Sequence, residues 1–89
     1  MNNAHNIVIY GSDTCSYCTA ARMLLKKKGL DYADISIAGN PALFDEMVER
    51  SGRRTVPQIF IDDNSIGGFD ELYALEQSGE LDRLLGANT

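Results

Sequence analysis

Strand-like and helix-like patterns follow one another along this chain of 89 residues, and their order limits the fold that the chain can adopt. The order is strand, helix, strand, helix, strand, strand, helix, with a short hairpin joining the third and fourth strands. It predicts an α/β fold in which one mixed sheet of four strands is covered by helices on both faces. A chain of this length has room for one core, so we expect a single domain spanning residues 1–89.

The predicted elements are bounded by local turn and capping signals. The strands are expected at residues 7–10, 32–37, 58–61 and 65–66, the last after a hairpin turn at residues 62–64. The helices are expected at residues 16–28, 43–50 and about 70–78, followed by a short amphipathic segment at residues 81–85. Glycines at residues 29 and 67–68 separate these elements.

The only two cysteines of the chain, Cys15 and Cys18, lie three residues apart at the start of the first predicted helix. Two thiols at this spacing beside a β-α pattern are typical of a redox motif, because one can attack a target and the other can then close an intramolecular disulfide. The alternative is half of a structural zinc site. Such sites take four ligands, and the chain offers only these thiols and one histidine, His5. The sequence therefore favours redox chemistry.

The two thiols are expected to differ in reactivity. Exchange requires a thiolate, and a free cysteine is mostly protonated at neutral pH. Cys15 precedes the helix, where unpaired N–H groups and the positive end of the dipole favour an anion. Cys18 lies one turn deeper, which suits a resolving thiol that attacks after a mixed disulfide has formed. We therefore predict that Cys15 is the nucleophile.

Composition argues against several classes of protein. The net charge of -5 and the pI near 4.6 argue against sequence-independent nucleic-acid binding, which needs a basic surface. The sequence has no apolar run of membrane-spanning length, and its N-terminus lacks the basic and apolar regions of a secretory signal. We therefore expect a cytoplasmic protein, in a reducing compartment where paired cysteines are more often catalytic than structural.

Three short motifs together resemble those of a glutaredoxin, most closely the small bacterial dithiol members: C-S-Y-C at residues 15–18, T-V-P at residues 55–57 and G-G-F-D at residues 67–70. The resemblance extends over nearly the whole chain. It implies the thioredoxin fold, glutathione as cosubstrate without a tightly bound cofactor, and reduction of protein disulfides and glutathionylated thiols. By the same resemblance, ribonucleotide reductase is a candidate client and the protein is expected to be a monomer.

The resemblance also implies a glutathione site. Its expected members are Tyr17, Arg53, Arg54, Thr55, Val56, Pro57, Gly68, Phe69 and Asp70. A cis Val56-Pro57 bond would turn the Val56 backbone toward the dithiol, where it would pair with the cysteinyl part of glutathione. Helix N–H groups at residues 68–70 would receive the γ-glutamyl carboxylate, with the Asp70 carboxylate on the ammonium. Either Arg53 or Arg54 would meet the glycyl carboxylate.

Two positions depart from the pattern of the family. Ser12 stands where many glutaredoxins have a lysine, and Ser16 stands where dithiol members most often have proline. Members with serine or glycine at the latter position more often resemble a subset that holds a 2Fe-2S cluster between two protomers, with Cys15 and a bound glutathione from each. Cluster carriage or sensing is therefore the alternative function, although Ser16 also suits an ordinary N-terminal helix position.

Two further alternatives are less well supported. A redoxin reduced by thioredoxin reductase would normally carry a tryptophan near the active site or in a C-terminal motif, and this chain has none. A non-catalytic binding module would not require an intact dithiol together with all three motifs.

Overall fold

The computed structural model describes residues 6–85 and contains the predicted mixed sheet. Its strands are β1 (Ile7–Gly11), β2 (Ala33–Ser36), β3 (Gln58–Ile61) and β4 (Asn64–Gly67), in the spatial order β2-β1-β3-β4. β1 pairs in parallel with β2, whereas β1 with β3 and β3 with β4 are antiparallel. The predicted α/β fold is confirmed. His5, the third ligand considered for zinc, lies outside the described residues.

The helices are α1 (Ser16–Lys27), α2 (Pro41–Ser51), α3 (Phe69–Ser78) and α4 (Glu80–Leu85). α1 begins directly after Cys15, which occupies its N-cap position. α2 begins at a proline, where the Asn40 side chain accepts the Leu43 N–H at 3.2 Å. It ends at Gly52, whose left-handed conformation closes the helix. α4 corresponds to the predicted amphipathic segment.

The β3–β4 turn is tighter than predicted. Asp62 and Asp63 have φ values of 52° and 69°, so the turn consists of two residues in the left-handed region. Such a turn matches the twist of the flanking strands, and short acidic or amide side chains tolerate this conformation. Asn64, predicted as part of the turn, therefore already pairs with Ile61 at the start of β4.

The sheet separates two hydrophobic clusters. The larger one lies beneath α1, α3 and α4 and contains Ile7, Ile9, Ala21, Leu25, Ile59, Ile61, Leu72, Leu81 and Leu85. The smaller one lies beneath α2 and contains Tyr10, Met47 and Phe60. Because side chains alternate along a strand, β1 and β3 each supply residues to both clusters. The prediction of helices on both faces is confirmed.

Two glycines allow close approaches around the cysteines. A Cβ atom on Gly11, at the end of β1, would lie 2.8 Å from Cys18 Sγ, so α1 could not pack as closely on any other residue. A Cβ atom on Gly68 would lie 3.2 Å from the Pro57 carbonyl oxygen. The start of α3 therefore packs directly against the segment that precedes β3.

Within residues 6–85, no helix combines the length and apolar character needed to cross a membrane.

Candidate active site

The Cys15 thiol is held at the front of α1. Its backbone is extended, with φ −93° and ψ 119°, which turns its side chain back toward the first helical turn. Sγ accepts the Cys18 backbone N–H at 3.3 Å, and it lies 3.9 Å from the Val56 carbonyl oxygen, to which the thiol donates. Cys15 is partly exposed and both cysteines are free thiols. A reagent in solution can therefore reach Cys15.

Opposing effects act on the pKa of Cys15, and the net result lowers it. Burial alone would raise this pKa. The Cys18 thiol, the backbone N–H groups of Cys18 and Tyr17, and the positive charge of Arg22 all favour the thiolate and outweigh burial. The expected stabilisation by the helix N-terminus is therefore present as specific hydrogen bonds.

Cys18 differs from Cys15 in both its burial and the direction of its pKa shift. It is fully buried beside Gly11. Burial raises the pKa of Cys18 to about 11, with further raising contributions from the neighbouring Cys15 and opposition from the Ser12 backbone and Arg22. At neutral pH the partly exposed thiol therefore ionises more readily, while its buried neighbour stays protonated. This asymmetry is what a nucleophile and a resolving thiol require.

The segment before β3 faces Cys15. The Val56-Pro57 peptide bond is cis, as predicted. Gln58, the first residue of β3, is completely buried, and its amide Nε2 donates to the Thr55 carbonyl oxygen at 3.0 Å and to Thr55 Oγ1 at 3.3 Å. The Gln58 amide thus ties Thr55 to the sheet. This residue lies outside the three sequence motifs.

A cleft beside the dithiol brings together nearly all the predicted glutathione-site residues. It is lined by Tyr17, Arg53, Thr55, Val56, Pro57, Gly68, Phe69, Asp70 and Glu71. Arg54 is the predicted residue that does not line it. The Arg54 guanidinium carbon lies 5.2 Å from the centre of the Phe44 ring on α2, as in a cation–π contact. Of the two adjacent arginines, Arg53 is therefore the one at the cleft.

Glu71 is a cleft residue that the motifs did not identify. Its Oε1 accepts the Gly68 N–H at 2.8 Å, and its Oε2 lies 3.5 Å from Arg53 Nη2. The hydrogen bond from Gly68 is the main cause that lowers the pKa of Glu71. A glutamate three residues after a helix N-cap is a capping-box signal, so the G-x-x-E spacing could have indicated it. Because Gly68 already has a partner, the N–H groups of Phe69 and Asp70 are better placed for an anion at this helix start.

Three aromatic rings form a row that begins at the cleft, which Tyr17 and Phe69 line. The Tyr17 and Phe69 ring centres are 6.1 Å apart, and those of Phe69 and Tyr73 are 5.7 Å apart, with interplanar angles of 27° and 29°. Tyr17 is 61% exposed despite this stacking. The row gives the cleft a flat apolar edge next to the nucleophile.

Among residues 6–85, no group of three or more His, Cys, Asp or Glu side chains is arranged to hold a metal ion. The site has the parts needed for thiol exchange: an activated, partly exposed thiol, a buried second thiol, and a cleft with backbone groups and charges.

Comparison with known proteins points to one family. The chain matches the glutaredoxin family model over residues 7–66. It is 54% identical over 80 residues to glutaredoxin 3 of Escherichia coli strain K12, an alignment that covers 90% of this chain and 96% of that protein. The solution structure of Brucella melitensis glutaredoxin superposes with a TM-score of 0.80 at 46% identity, covering 94% of this chain and 91% of that one. A crystal structure of the buckwheat glutaredoxin–glutathione complex superposes with a TM-score of 0.84 at 28% identity, covering 94% and 79%.

Proposed function

Because the chain belongs to the glutaredoxin family, we propose that it is a glutathione-dependent oxidoreductase that reduces protein disulfides and protein-glutathione mixed disulfides. The observation that carries this proposal is the contrast within the dithiol. Cys15 is partly exposed and has a lowered pKa, whereas Cys18 is buried and has a raised one. The cleft beside Cys15 offers the backbone groups, aromatic rings and charges that a tripeptide thiol would need.

With a glutathionylated client, the Cys15 thiolate attacks the glutathionyl sulfur. The client cysteine leaves as a thiolate and takes up a proton, and a Cys15–glutathione disulfide remains. A second glutathione thiolate attacks this disulfide and releases oxidised glutathione, which restores the Cys15 thiolate. With a protein disulfide, the Cys15 thiolate attacks one client sulfur, and the other client sulfur leaves as a thiolate that takes up a proton. Cys18 then attacks the Cys15 sulfur of this mixed disulfide and releases the second client thiol. Two glutathione molecules reduce the resulting Cys15–Cys18 bond and leave as oxidised glutathione.

We assign the cleft residues to parts of glutathione as follows. The Val56 backbone pairs with the cysteinyl residue, as an added strand would. The N–H groups of Phe69 and Asp70 bind the γ-glutamyl carboxylate, and the Asp70 side chain binds the ammonium group. Arg53 binds the glycyl carboxylate, because it is the arginine that lines the cleft. The structural likeness to a glutaredoxin crystallised with glutathione supports this assignment.

We expect the protein to work as a monomer in the cytoplasm, drawing electrons from NADPH only indirectly, through glutathione reductase. Ribonucleotide reductase is our candidate client. The reduction potential should fall in the range of about -200 to -230 mV that is common for glutaredoxins.

The test follows glutathione-dependent reduction of a glutathionylated peptide by the wild type, Cys15→Ser and Cys18→Ser proteins. We expect Cys15→Ser to be inactive and Cys18→Ser to keep substantial activity, because a second glutathione can replace Cys18 with this substrate. Equal loss in both variants would contradict the assignment of the nucleophile. A wild type that accepts electrons from thioredoxin reductase but not from glutathione would overturn the proposed cosubstrate.

The alternative of a 2Fe-2S cluster shared between two protomers rests on Ser16, which is exposed at the first position of α1. This alternative is tested by purifying the wild type and the two cysteine variants anaerobically with glutathione and recording their visible absorbance. A brown wild type with visible absorbance and little reductase activity would make cluster carriage the leading function, and a colourless active wild type would support the reductase.

A further inference from the structure

Arg22 is a half-buried cation on the side of α1 that faces the sheet. Its side chain is 16% exposed, and it lies one turn after Cys18. Its Nη2 donates to the Ser12 carbonyl oxygen at 3.1 Å, in the loop that leads to Cys15. Its Nε lies 3.0 Å from Asp34 Oδ2 on β2. The guanidinium is thus held between the loop and the edge strand of the sheet.

This guanidinium lies close to the dithiol. The position that a Cβ atom on Gly11 would take is 2.8 Å from Cys18 Sγ and 3.4 Å from Arg22 Nη2. The sulfur and the nitrogen are therefore within about 6.2 Å of each other. The loop at residues 12–14 contains no Lys or Arg, and the cations Lys26 and Lys27 are exposed at the far end of α1.

We propose that Arg22 is a positioning residue of the reaction, which holds a permanent positive charge beneath the dithiol and thereby favours the ionised form of Cys15. It acts through Cys15 and does not touch the substrate. An arginine suits this role because its charge persists at every relevant pH and its planar group can bind the loop and the strand together. The inference rests on the proposed nucleophilic role of Cys15.

The charges that face Arg22 come from two directions. On α1 they are the two cysteines. On and beside β2 they are Asp34 and the Tyr32 hydroxyl. Burial and the Asp34 charge raise the pKa of Tyr32, and the Arg22 charge works against this rise. Asp34 partly offsets the guanidinium, but it is 44% exposed, so solvent screens it more than it screens Arg22. A net positive field therefore remains at the thiols. It is consistent with the effect of the Arg22 charge, which lowers the pKa of Cys15. This effect is smaller than those of burial and of the hydrogen bonds to Cys15.

This charge also affects the redox equilibrium. Two glutathione thiols reduce the Cys15–Cys18 disulfide by passing two electrons to it, and the products are the protein dithiol and oxidised glutathione. Any group that stabilises the Cys15 thiolate stabilises the reduced side of this equilibrium. Removal of Arg22 should therefore shift the protein toward its disulfide by severalfold in a glutathione buffer of fixed composition at neutral pH.

The kinetic test measures the attack of Cys15 on bis(2-hydroxyethyl) disulfide, a small neutral reagent, as a function of pH and without glutathione. A thiol whose pKa rises loses thiolate at low pH but becomes more nucleophilic once ionised, with a Brønsted coefficient of about 0.4 to 0.5. We therefore expect Arg22→Met to react about threefold more slowly than the wild type on the acidic side, and up to about threefold faster on the alkaline plateau. Loosened packing would not produce this crossing of the two profiles.

Lys26→Met is the matched control, since it removes the same charge from the same helix at an exposed site about 16 Å from Cys15. Its profile should coincide with that of the wild type, and Arg22→Lys should lie closer to the wild type than Arg22→Met does. Asp34→Asn removes the negative charge that partly offsets Arg22, so this variant should react faster than the wild type at acidic pH. This variant decides the question if Arg22→Met does not fold.

An Arg22→Met profile that coincides with the Lys26→Met profile would overturn the inference, as would slower acidic-side reaction of Asp34→Asn. The proposed function stands or falls separately, because its test measures dependence on glutathione and this one omits glutathione.

Discussion

The Gln58 amide offers a way to separate the stability of the fold from the order of the cleft, which is the proposed glutathione site. It is the buried polar side chain of the described core, and both of its hydrogen bonds go to Thr55. The Thr55 carbonyl can only accept a hydrogen bond, so the amide nitrogen must face it and the amide oxygen points elsewhere. Among residues 6–85, that oxygen has no hydrogen-bond partner. Gln58→Leu keeps nearly the same volume and removes both groups.

The two consequences of this change for stability nearly cancel. Loss of two hydrogen bonds, one of them long at 3.3 Å, costs about 1 to 2 kcal/mol. Removal of a buried acceptor without a partner returns about 1 to 2 kcal/mol. Thr55 itself is exposed, so water can replace the lost donor. We therefore expect the free energy of unfolding to change by less than about 1 kcal/mol.

The cleft should respond more strongly than the fold. Without the amide, Thr55 and Val56 must be ordered when glutathione binds, and one lost restraint of about 1 to 1.4 kcal/mol corresponds to a fivefold to tenfold rise in KM. The assays are urea unfolding and steady-state reduction of a glutathionylated peptide. Alkylation of Cys15 should stay within about twofold of the wild-type rate, because most of its hydrogen bonds come from α1.

Gln77→Leu is the matched control, since it makes the same chemical change at an exposed position of α3. It should alter neither stability nor KM. A loss of more than about 3 kcal/mol in Gln58→Leu would refute the reasoning about the unpaired oxygen. An unchanged KM would refute the role of the amide in ordering the cleft.

Arg53→Ala should raise KM for a glutathionylated peptide. Arg54→Ala should leave KM unchanged and lower the free energy of unfolding in urea by at most about 1 kcal/mol, because Arg54 contacts Phe44 and not the cleft. Equal effects on KM would contradict the placement of the two arginines. Cys18 binds its proton more tightly in the folded state, so the reduced protein should lose roughly 1 to 2 kcal/mol of stability as pH rises from about 9 toward 11. A Cys18→Ser variant with the same pH slope in urea unfolding would show that another group is responsible. Met47→Ala should destabilise the protein by about 2 to 5 kcal/mol, because this side chain is fully buried beneath α2. Its control is Met23→Ala, at a site that is 64% exposed, which should change stability by less than about 0.5 kcal/mol.

The sequence predicted well those features that depend on local periodicity or on the spacing of short motifs. Strands β1 and β3 stood out as β-branched or apolar runs next to turn residues, and the structure has them within one residue of their predicted limits. Cys15 could be placed at a helix start because a turn cluster precedes it and a helical apolar pattern follows. All but one of the residues expected in the glutathione site line the cleft, while the site itself stays a prediction.

The features that the sequence did not predict depend on contacts between distant parts of the chain. Arg53 and Arg54 are adjacent in a loop without a periodic pattern, and only the fold shows that Arg54 lies over the Phe44 ring on α2 and Arg53 at the cleft. Gln58 looks like one polar residue in an apolar run until its position over Thr55 is known. Arg22 looks like an ordinary helix-surface residue until β2 brings Asp34 beside it. No local pattern contains these pairings.

The row of rings at Tyr17, Phe69 and Tyr73 gives this protein an intrinsic optical probe. The chain contains four tyrosines and no tryptophan, so its near-ultraviolet absorbance and emission come from tyrosine without interference from indole. Tyr17 lines the cleft, is largely exposed and stacks on Phe69, so any molecule that enters the cleft changes the surroundings of its ring. Occupancy of the cleft can therefore be titrated by tyrosine fluorescence on the unlabelled protein, with Tyr17→Phe to identify the residue that gives the signal.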